Sequence, residues 1–435
     1  MTPVLFSLWI ERLGFASAGL AAYFALLKVN PVSVALILMT MSFILQPAAW
    51  RACRREPVAW IALSLGAYLL GRLALAGVTW PESAAEQWFD GLNFLYLLLF
   101  VPMAWHLQGR PGRVHWVWGL ALAGLLTGIL GHLIQHGSAD LLAGLRSGFH
   151  LRAIAFGLYA ATALLGLLIF APRLLGSEDR PLRPWRWALW LLILEGLLAG
   201  LLVTQSRGVL LAILVAFPLA LWWRFRGSHW RCQPVWQRRL LMITGGLLLV
   251  QCLAVGGWVL HHRFAQESDT VTALERGALE DAPKTSISHR LWLWQFGLEK
   301  WQERPWLGWG PGATRRLVAE SQNPHLFNDE DHRWMDHLHN AYLEILLRLG
   351  LVGAVWMTLL LVFLGRGLIR AYRDGRLARD HLAFLAGSAL LALVWSAFDF
   401  RHLHWDWRDY WILLAGAGFS LGMRPTPPGV YHRHP

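Results

Sequence analysis

Residues 185–224 read WRWALWLLILEGLLAGLLVTQSRGVLLAILVAFPLALWWR, two long apolar runs separated only by VTQSRG. Each run has the roughly 20 apolar residues that an α-helix needs to cross a bilayer. The break between them has room for a tight turn and little else. We therefore predict two membrane-spanning helices, over 185–204 and 207–224, joined as a hairpin.

The composition of the whole chain is that of a membrane protein. Of its 435 residues, 56% are hydrophobic and 15% are charged, whereas soluble domains have about 25% charged residues. A single soluble core cannot enclose this much apolar surface, so composition excludes an ordinary soluble protein. The 27 Trp fit the aromatic belts that form at membrane–water boundaries.

The same criterion of about 20 apolar residues, applied along the whole chain, predicts an all-α integral membrane protein with about 12 transmembrane helices. The first is expected to be a retained helix, because no small-residue cleavage site follows it. The predicted spans are approximately 5–27, 31–50, 57–78, 89–106, 115–135, 153–174, 185–204, 207–224, 240–260, 340–364, 381–398 and 409–423.

The number of arginines alternates between high and low in successive connections between the predicted spans. The connections after the second, fourth, sixth, eighth and tenth spans are arginine-rich, and the short connections of opposite parity have few. Positive residues collect in cytoplasmic loops, so we predict that both termini are cytoplasmic. This topology also accounts for the formal charge of +12 without nucleic-acid binding.

One connection is far longer than the others and lies outside by this parity. A loop of this length usually has a function, and it contains a predicted amphipathic helix over 289–306 that would rest on the membrane surface. The predicted organisation is transmembrane helices over 1–260, a large periplasmic loop with short helices over 261–338, transmembrane helices over 339–423, and a cytoplasmic tail over 424–435.

Two histidines close this loop in the stretch DHLHN, residues 336–340. His337 or His339 could act as a general base near neutral pH, or both could be interfacial residues without a catalytic function. An H-x-H pair with Asp336 could also bind a metal, but no further ligand cluster is evident. We therefore predict no metal and no cofactor.

Two arginines are candidates for binding an anion. Arg207 lies between two apolar spans, where a guanidinium is costly unless it pairs with an anion or reaches the lipid headgroups. A phosphate or pyrophosphate is a natural partner for guanidinium. Arg290 precedes the amphipathic helix and could face the same anion, although a solvated loop charge is the simpler interpretation.

Further features favour a structural role. Glu344 and Arg348 are four residues apart in the tenth span and are predicted to pair. Gly350 and Gly353 permit close helix packing. The segment 399–410, DFRHLHWDWRDY, combines charges and aromatics, and we slightly favour an interfacial anchor over a site-lining role.

These motifs resemble those of the O-antigen ligase and polymerase family. One motif is His339-Asn340-x-x-Leu343 with Gly350 and Gly353 following. The other is a Pro-x-x-Gly-x-Gly-x-Gly turn ahead of it, which here comprises Pro305, Gly308, Gly310 and Gly312. The order of the motifs, their shared loop and the twelve-span frame carry the resemblance.

The resemblance implies a GT-C-like, inverting and metal-independent glycosyltransferase of the bacterial inner membrane. It would transfer O-antigen from undecaprenyl pyrophosphate to the lipid A core on the periplasmic face, completing lipopolysaccharide. It also implies that His339 is the base, with His337 as the alternative, and that Arg207 and Arg290 bind the pyrophosphate. The implied partners are lipid-linked O-antigen, lipid A core and membrane lipid, with no nucleic acid.

Three alternatives remain at this point. An O-antigen polymerase would share the fold and donor but extend a lipid-linked glycan. An oligosaccharyltransferase acting on proteins is a lesser variant. A transporter or flippase of lipid-linked sugars would show inverted repeats and several polar residues within its spans, and the sequence offers one intramembrane carboxylate, Glu195.

Overall fold

The computed structural model describes residues 3–27, 29–138, 145–176, 184–226, 235–277, 279–328 and 333–424. Helices lie at every position at which the sequence predicts a span. The all-α membrane class is therefore confirmed. Of the predicted tail 424–435, only Arg424 lies within the described residues.

The helices follow one another along the chain with short connections. They are α1 (Pro3–Phe24), α2 (Pro31–Ile44), α3 (Pro47–Cys53), α4 (Pro57–Thr79), α5 (Ala84–Tyr96), α6 (Phe100–Leu107), α7 (Pro111–His136), α8 (Ala153–Ile169), α9 (Ala171–Leu175), α10 (Pro184–Val203), α11 (Arg207–Phe225), α12 (Val235–Glu275), α13 (Ser286–Glu303), α14 (Ala313–Ser321), α15 (Ala341–Arg373), α16 (Arg379–Ser396) and α17 (Trp405–Gly422).

Not every helix meets the length and hydropathy that a complete crossing requires. Among the described residues 6 helical stretches do, and up to 7 if α2 and α3, which are bent by 84°, form one span. The six are α4, the stretch Pro81–Leu107, α7, α10, α11 and α15. The count of twelve spans and the GT-C-like fold therefore stay predictions.

The chain divides into two compact units. The first comprises Met1–Leu125, Glu267–Arg376 and Ser396–Pro435, and the second comprises Leu126–Gln266 and Leu377–Trp395. The predicted hairpin lies in the second unit as α10 and α11. Its turn passes through Gln205, whose φ is +48°, and Ser206 is the N-cap of α11.

Helix α12 continues well past residue 260, where the sequence predicts a loop to begin. It ends only at Glu275. No Pro or Gly interrupts residues 261–275, and Gly277, with a φ of +69°, ends the helix as glycines commonly do. The first part of the predicted loop is thus helical.

The remainder of the loop has its own apolar core within the first unit. Trp292, Leu293 and Phe296 on α13 are buried with Leu317 on α14 and with Leu338 ahead of α15. The predicted amphipathic helix is present as α13, and it buries one apolar face in this core while other apolar residues stay exposed. Leu298, for example, is exposed. A two-residue antiparallel ladder, β1 (Phe327–Asn328) with β2 (Arg333–Trp334), completes this core.

Candidate active site

The histidine stretch ends where α15 begins, and the following asparagine defines that boundary. The Oδ1 of Asn340 accepts hydrogen bonds from the backbone N–H of Tyr342 at 3.0 Å and of Leu343 at 3.2 Å. These bonds satisfy donors that the first turn of a helix leaves unpaired. His339, immediately before the cap, has a φ of +51°. A side chain is uncommon in this region of backbone space, and such strain tends to occur at functional sites.

Leu338 fixes the segment between the two histidines. Its carbonyl accepts a hydrogen bond from Trp294 Nε1 at 3.1 Å, and its N–H donates to Glu344 Oε2 at 2.9 Å. Its side chain is fully buried in the core of the loop. His337 and His339 are therefore the two chain neighbours of a residue that is held in place.

The histidines contact two carboxylates. His337 Nδ1 lies 2.5 Å from Asp336 Oδ1, and its Nε2 lies 3.6 Å from Asp399 Oδ1. His339 Nδ1 lies 3.4 Å from the same Asp399 oxygen. The two imidazole centroids are 4.1 Å apart, so the rings form one compact cluster with Asp399.

The two histidines differ in electrostatic environment. Burial alone lowers the pKa of His337, but the hydrogen bonds and charges of Asp336 and Asp399 raise it to about 9. The pKa of His339 is lowered by burial, then by the neighbouring His337 and also by the charge of Arg290, against the opposing effect of Asp399. At neutral pH, His337 is therefore a cation and His339 is a neutral imidazole.

Asp399 is the site residue that the sequence did not single out. Despite its burial, which raises it, the pKa of Asp399 is held well below its usual range by His337 and His339. These contacts favour the site-lining alternative over the interfacial anchor for the first residue of 399–410. Its signal was the aspartate that opens DFRHLH, but nothing local links it to histidines some sixty positions earlier.

The structure brings Arg290 to the same region. It lies on α13, where its Nη1 donates to Ser286 Oγ at 3.2 Å, and its positive charge contributes to lowering the pKa of His339. Arg290 and the histidines thus lie in the first unit, and the role of Arg290 in binding pyrophosphate stays a prediction.

Arg207 lies in the second unit, as the first residue of α11. A second guanidinium lies at the same hairpin tip, because Arg146 Nε donates to the carbonyl of Thr204 at 3.0 Å. Arginine at the tip of this hairpin is therefore a paired feature, and the sequence predicts only one member of the pair.

The two sequence motifs meet through their backbones. Helix α15 is broken at Gly350, whose φ is +65°, and the glycine turn satisfies the backbone groups that the break leaves unpaired. The bonds run from Trp309 N to Leu347 O (2.8 Å), Gly310 N to Arg348 O (2.9 Å), Leu351 N to Pro305 O (2.9 Å) and Val352 N to Trp306 O (3.1 Å).

The two motifs pack so closely that glycine is required at Gly308 and Gly350. A Cβ at Gly350 would lie 2.3 Å from the Trp306 carbonyl oxygen, and one at Gly308 would lie 2.6 Å from that of Leu347. Neither approach leaves room for a side chain. Both positions also have positive φ, so the two motifs are two halves of one contact.

A buried charge network lies beneath this contact. Arg348 Nε pairs with Glu344 Oε1 at 2.6 Å, and its Nη1 pairs with Asp90 Oδ2 at 2.6 Å. Thr314 Oγ1 donates to the same Glu344 oxygen at 2.6 Å. The predicted Glu344–Arg348 pair is confirmed, and it joins α15 to α5 and α14.

The residues that could bind a metal differ in one member from those that the sequence suggests. Within the described ranges, the group able to hold an ion is His337, His339 and Asp399, whose ligand atoms lie within 4.8 Å of one another. Asp336 is not part of it. Two imidazoles and a carboxylate suit transition metals, but both imidazoles must be neutral to bind one, and the raised pKa of His337 opposes this.

Fold and site together define a polytopic membrane protein with a histidine–carboxylate centre at the start of a broken helix. Residues 188–358 match the family model described as O-Antigen ligase. This match confirms the resemblance seen in the sequence. Arg207, Arg290, the glycine turn and both histidines lie within it.

A similar curated protein carries a related name. A putative polysaccharide ligase of Rickettsia conorii is 35% identical over 75 residues, which is 17% of this chain and 18% of that protein. The match thus spans less than a fifth of the relative.

Proposed function

We propose that this protein is an O-antigen ligase. It transfers the O-antigen polysaccharide from undecaprenyl pyrophosphate to the lipid A core oligosaccharide, on the periplasmic face of the bacterial inner membrane. The observation that carries the proposal is the His337–His339–Asp399 cluster near the charge of Arg290. Both histidines and Arg290 lie in the stretch that matches the O-antigen ligase family model.

The proposed chemistry is a single inverting displacement. An acceptor hydroxyl oxygen attacks the anomeric carbon of the donor sugar, while the bond from that carbon to the pyrophosphate oxygen breaks. The hydroxyl proton goes to His339, and the electron pair of the broken bond leaves with undecaprenyl pyrophosphate. Such a leaving group needs cations to stabilise its developing charge, a role we give to Arg290 and Arg207.

His339 is better suited than His337 to accept the proton. Its side chain is 27% exposed, whereas that of His337 is 11% exposed. Its lowered pKa keeps it neutral near pH 7, and Asp399 beside Nδ1 favours the tautomer that leaves Nε2 able to accept. His337, already protonated and held by two carboxylates, would add a fixed positive charge near the reacting groups.

The test is a transfer assay with the purified protein in detergent. Lipid-linked O-antigen and lipid A core are supplied with EDTA present, and the product is resolved as a lipopolysaccharide ladder. The proposal predicts a ladder in the presence of the chelator. Extension of the lipid-linked glycan alone would indicate a polymerase, and restoration of activity only on adding a divalent metal would overturn the metal-independent mechanism.

A further inference from the structure

A cavity lies at the end of α15 opposite to the histidines. It has a volume of about 230 Å³ and is lined by Glu56, Phe363, Arg366, Arg370 and Arg424, among others. One water needs only roughly 10–15 Å³ measured with a probe of its own size. The cavity therefore has room for a small polar group and part of an apolar chain.

The cavity carries an excess of positive charge. Three guanidiniums and one carboxylate line it, so its net charge is +2. Glu56 is 3% exposed and accepts a hydrogen bond at 2.7 Å from the backbone N–H of Arg424. Its other oxygen lies 3.6 Å from Arg370 Nη2. The carboxylate thus fixes two of the three arginine residues and neutralises only one guanidinium.

Two further contacts hold the cavity in shape. Arg370 Nη2 also donates to the Gly422 carbonyl at 3.0 Å, which ties the last turn of α15 to the end of α17. Arg366 lies over the Phe363 ring, 5.2 Å from its centroid. The side chains of Arg366 and Arg370 and the backbone of Arg424 are therefore held in place before any ligand arrives.

The lining of the cavity has a charged part and an apolar part, as a phospholipid has. Phe363, Leu364 and Val58 form its apolar part, and α4 begins at Pro57, so the positive end of that helix dipole is directed to the same space. Basic pockets between transmembrane helices on the cytoplasmic side are typical binding sites for lipid phosphate groups. The arginine-rich end of α15 is the end that the charge pattern predicts to be cytoplasmic.

We propose that this cavity binds the phosphate group of an anionic phospholipid, with Arg366 and Arg424 as its ligands and Arg370 held in place by Glu56. The site lies at the C-terminal end of α15, whereas the histidines precede its N-terminal end. It is independent of the proposed transferase function.

The experiment measures lipid binding to the purified full-length protein by native mass spectrometry and by thermal unfolding in detergent. The probes are phosphatidylglycerol, phosphatidylethanolamine as the matched zwitterionic lipid, and inorganic phosphate. The variants are Arg366→Gln, the double variant Arg366→Gln/Arg424→Gln, and Arg373→Gln as the control. Arg373 lies on the same helix, is exposed and is not among the residues that line the cavity.

We expect phosphatidylglycerol to be retained by the wild type and by Arg373→Gln, and to bind at least about tenfold more weakly to the double variant, a loss of about 1.4 kcal/mol. Arg366→Gln, an exposed substitution that does not threaten folding, should show an intermediate loss. Equal binding of both lipids, equal stabilisation by inorganic phosphate, or retention by the double variant would each overturn the proposal.

Discussion

His337 and His339 are two residues apart, yet their environments assign them different chemistry. His337 contacts both Asp336 and Asp399, whereas His339 contacts Asp399 and lies near the charge of Arg290. The sequence identifies both histidines but not which one is the base, because spacing says nothing about the carboxylates that reach each ring. Those contacts raise the pKa of His337, whereas the pKa of His339 is lowered, and a neutral imidazole is the state that a proton acceptor needs.

The raised pKa of His337 should make stability depend on pH. Its folded-state pKa of about 9 exceeds the unfolded value of 6.5, so its contribution to stability is full below the unfolded value and is lost as pH rises through about 9. We expect the unfolding midpoint of the wild type to exceed that of His337→Gln most at about pH 6 and least at about pH 10. A difference that stays constant over this range would contradict the assignment.

Asp399 should matter for transfer more than Asp336 does, because only Asp399 contacts His339. We expect Asp399→Asn to lower the maximal transfer rate by about 10–100-fold with little change in KM, since the base loses its orienting partner. Asp336→Asn is the matched control and should cost less than about threefold. Steady-state kinetics with both variants measure this, and equal losses would argue for a purely structural role of the carboxylates.

At the scale of elements, the glycine turn and the break in α15 form one unit. The sequence predicts the turn, the glycines and the helix start within a residue or so. It does not predict that the turn supplies the four backbone hydrogen bonds of the break, because helical periodicity contains no information on partners forty residues away. A one-residue change at Gly350 should therefore affect both motifs.

Gly350→Ala should destabilise the protein by about 3 kcal/mol or more, since the new Cβ meets the Trp306 carbonyl and the backbone has positive φ. Gly365→Ala in the same helix is the control. A Cβ there meets nothing within 4 Å, so its effect should stay within about 1 kcal/mol and be favourable. Thermal unfolding in detergent compares the two variants. Similar unfolding midpoints would contradict a close contact between the glycine turn and the break in α15.

The elements that the sequence predicts best are those with long apolar runs and clear interruptions. Helices α10 and α11 begin and end within one or two residues of their predicted bounds. Helix α12 is predicted worst, because its residues 261–275 have no long apolar run and yet contain no Gly or Pro that would end the helix. Hydropathy identifies the apolar part of a helix and not its polar continuation.

At the scale of the whole molecule, the charge alternation makes a topological prediction. Residue 302 on α13 should be outside and residue 373 at the end of α15 should be in the cytoplasm. In a background with its cysteines replaced by serine, Gln302→Cys should react with a membrane-impermeant maleimide in spheroplasts, and Arg373→Cys only after lysis. The reverse pattern would show that the alternation has been assigned to the wrong side.

In the proposed mechanism, His339 takes the proton from the hydroxyl group of the acceptor sugar during glycosyl transfer. The measurement that tests it most directly is the initial rate of lipopolysaccharide formation by the purified wild type, His339→Gln and His337→Gln, with all three shown to be folded by their unfolding midpoints. Loss of a general base costs about 10²–10⁴-fold. We expect a loss of this size in His339→Gln and a clearly smaller one in His337→Gln. A His339→Gln variant that keeps its rate within a few-fold of the wild type would contradict it.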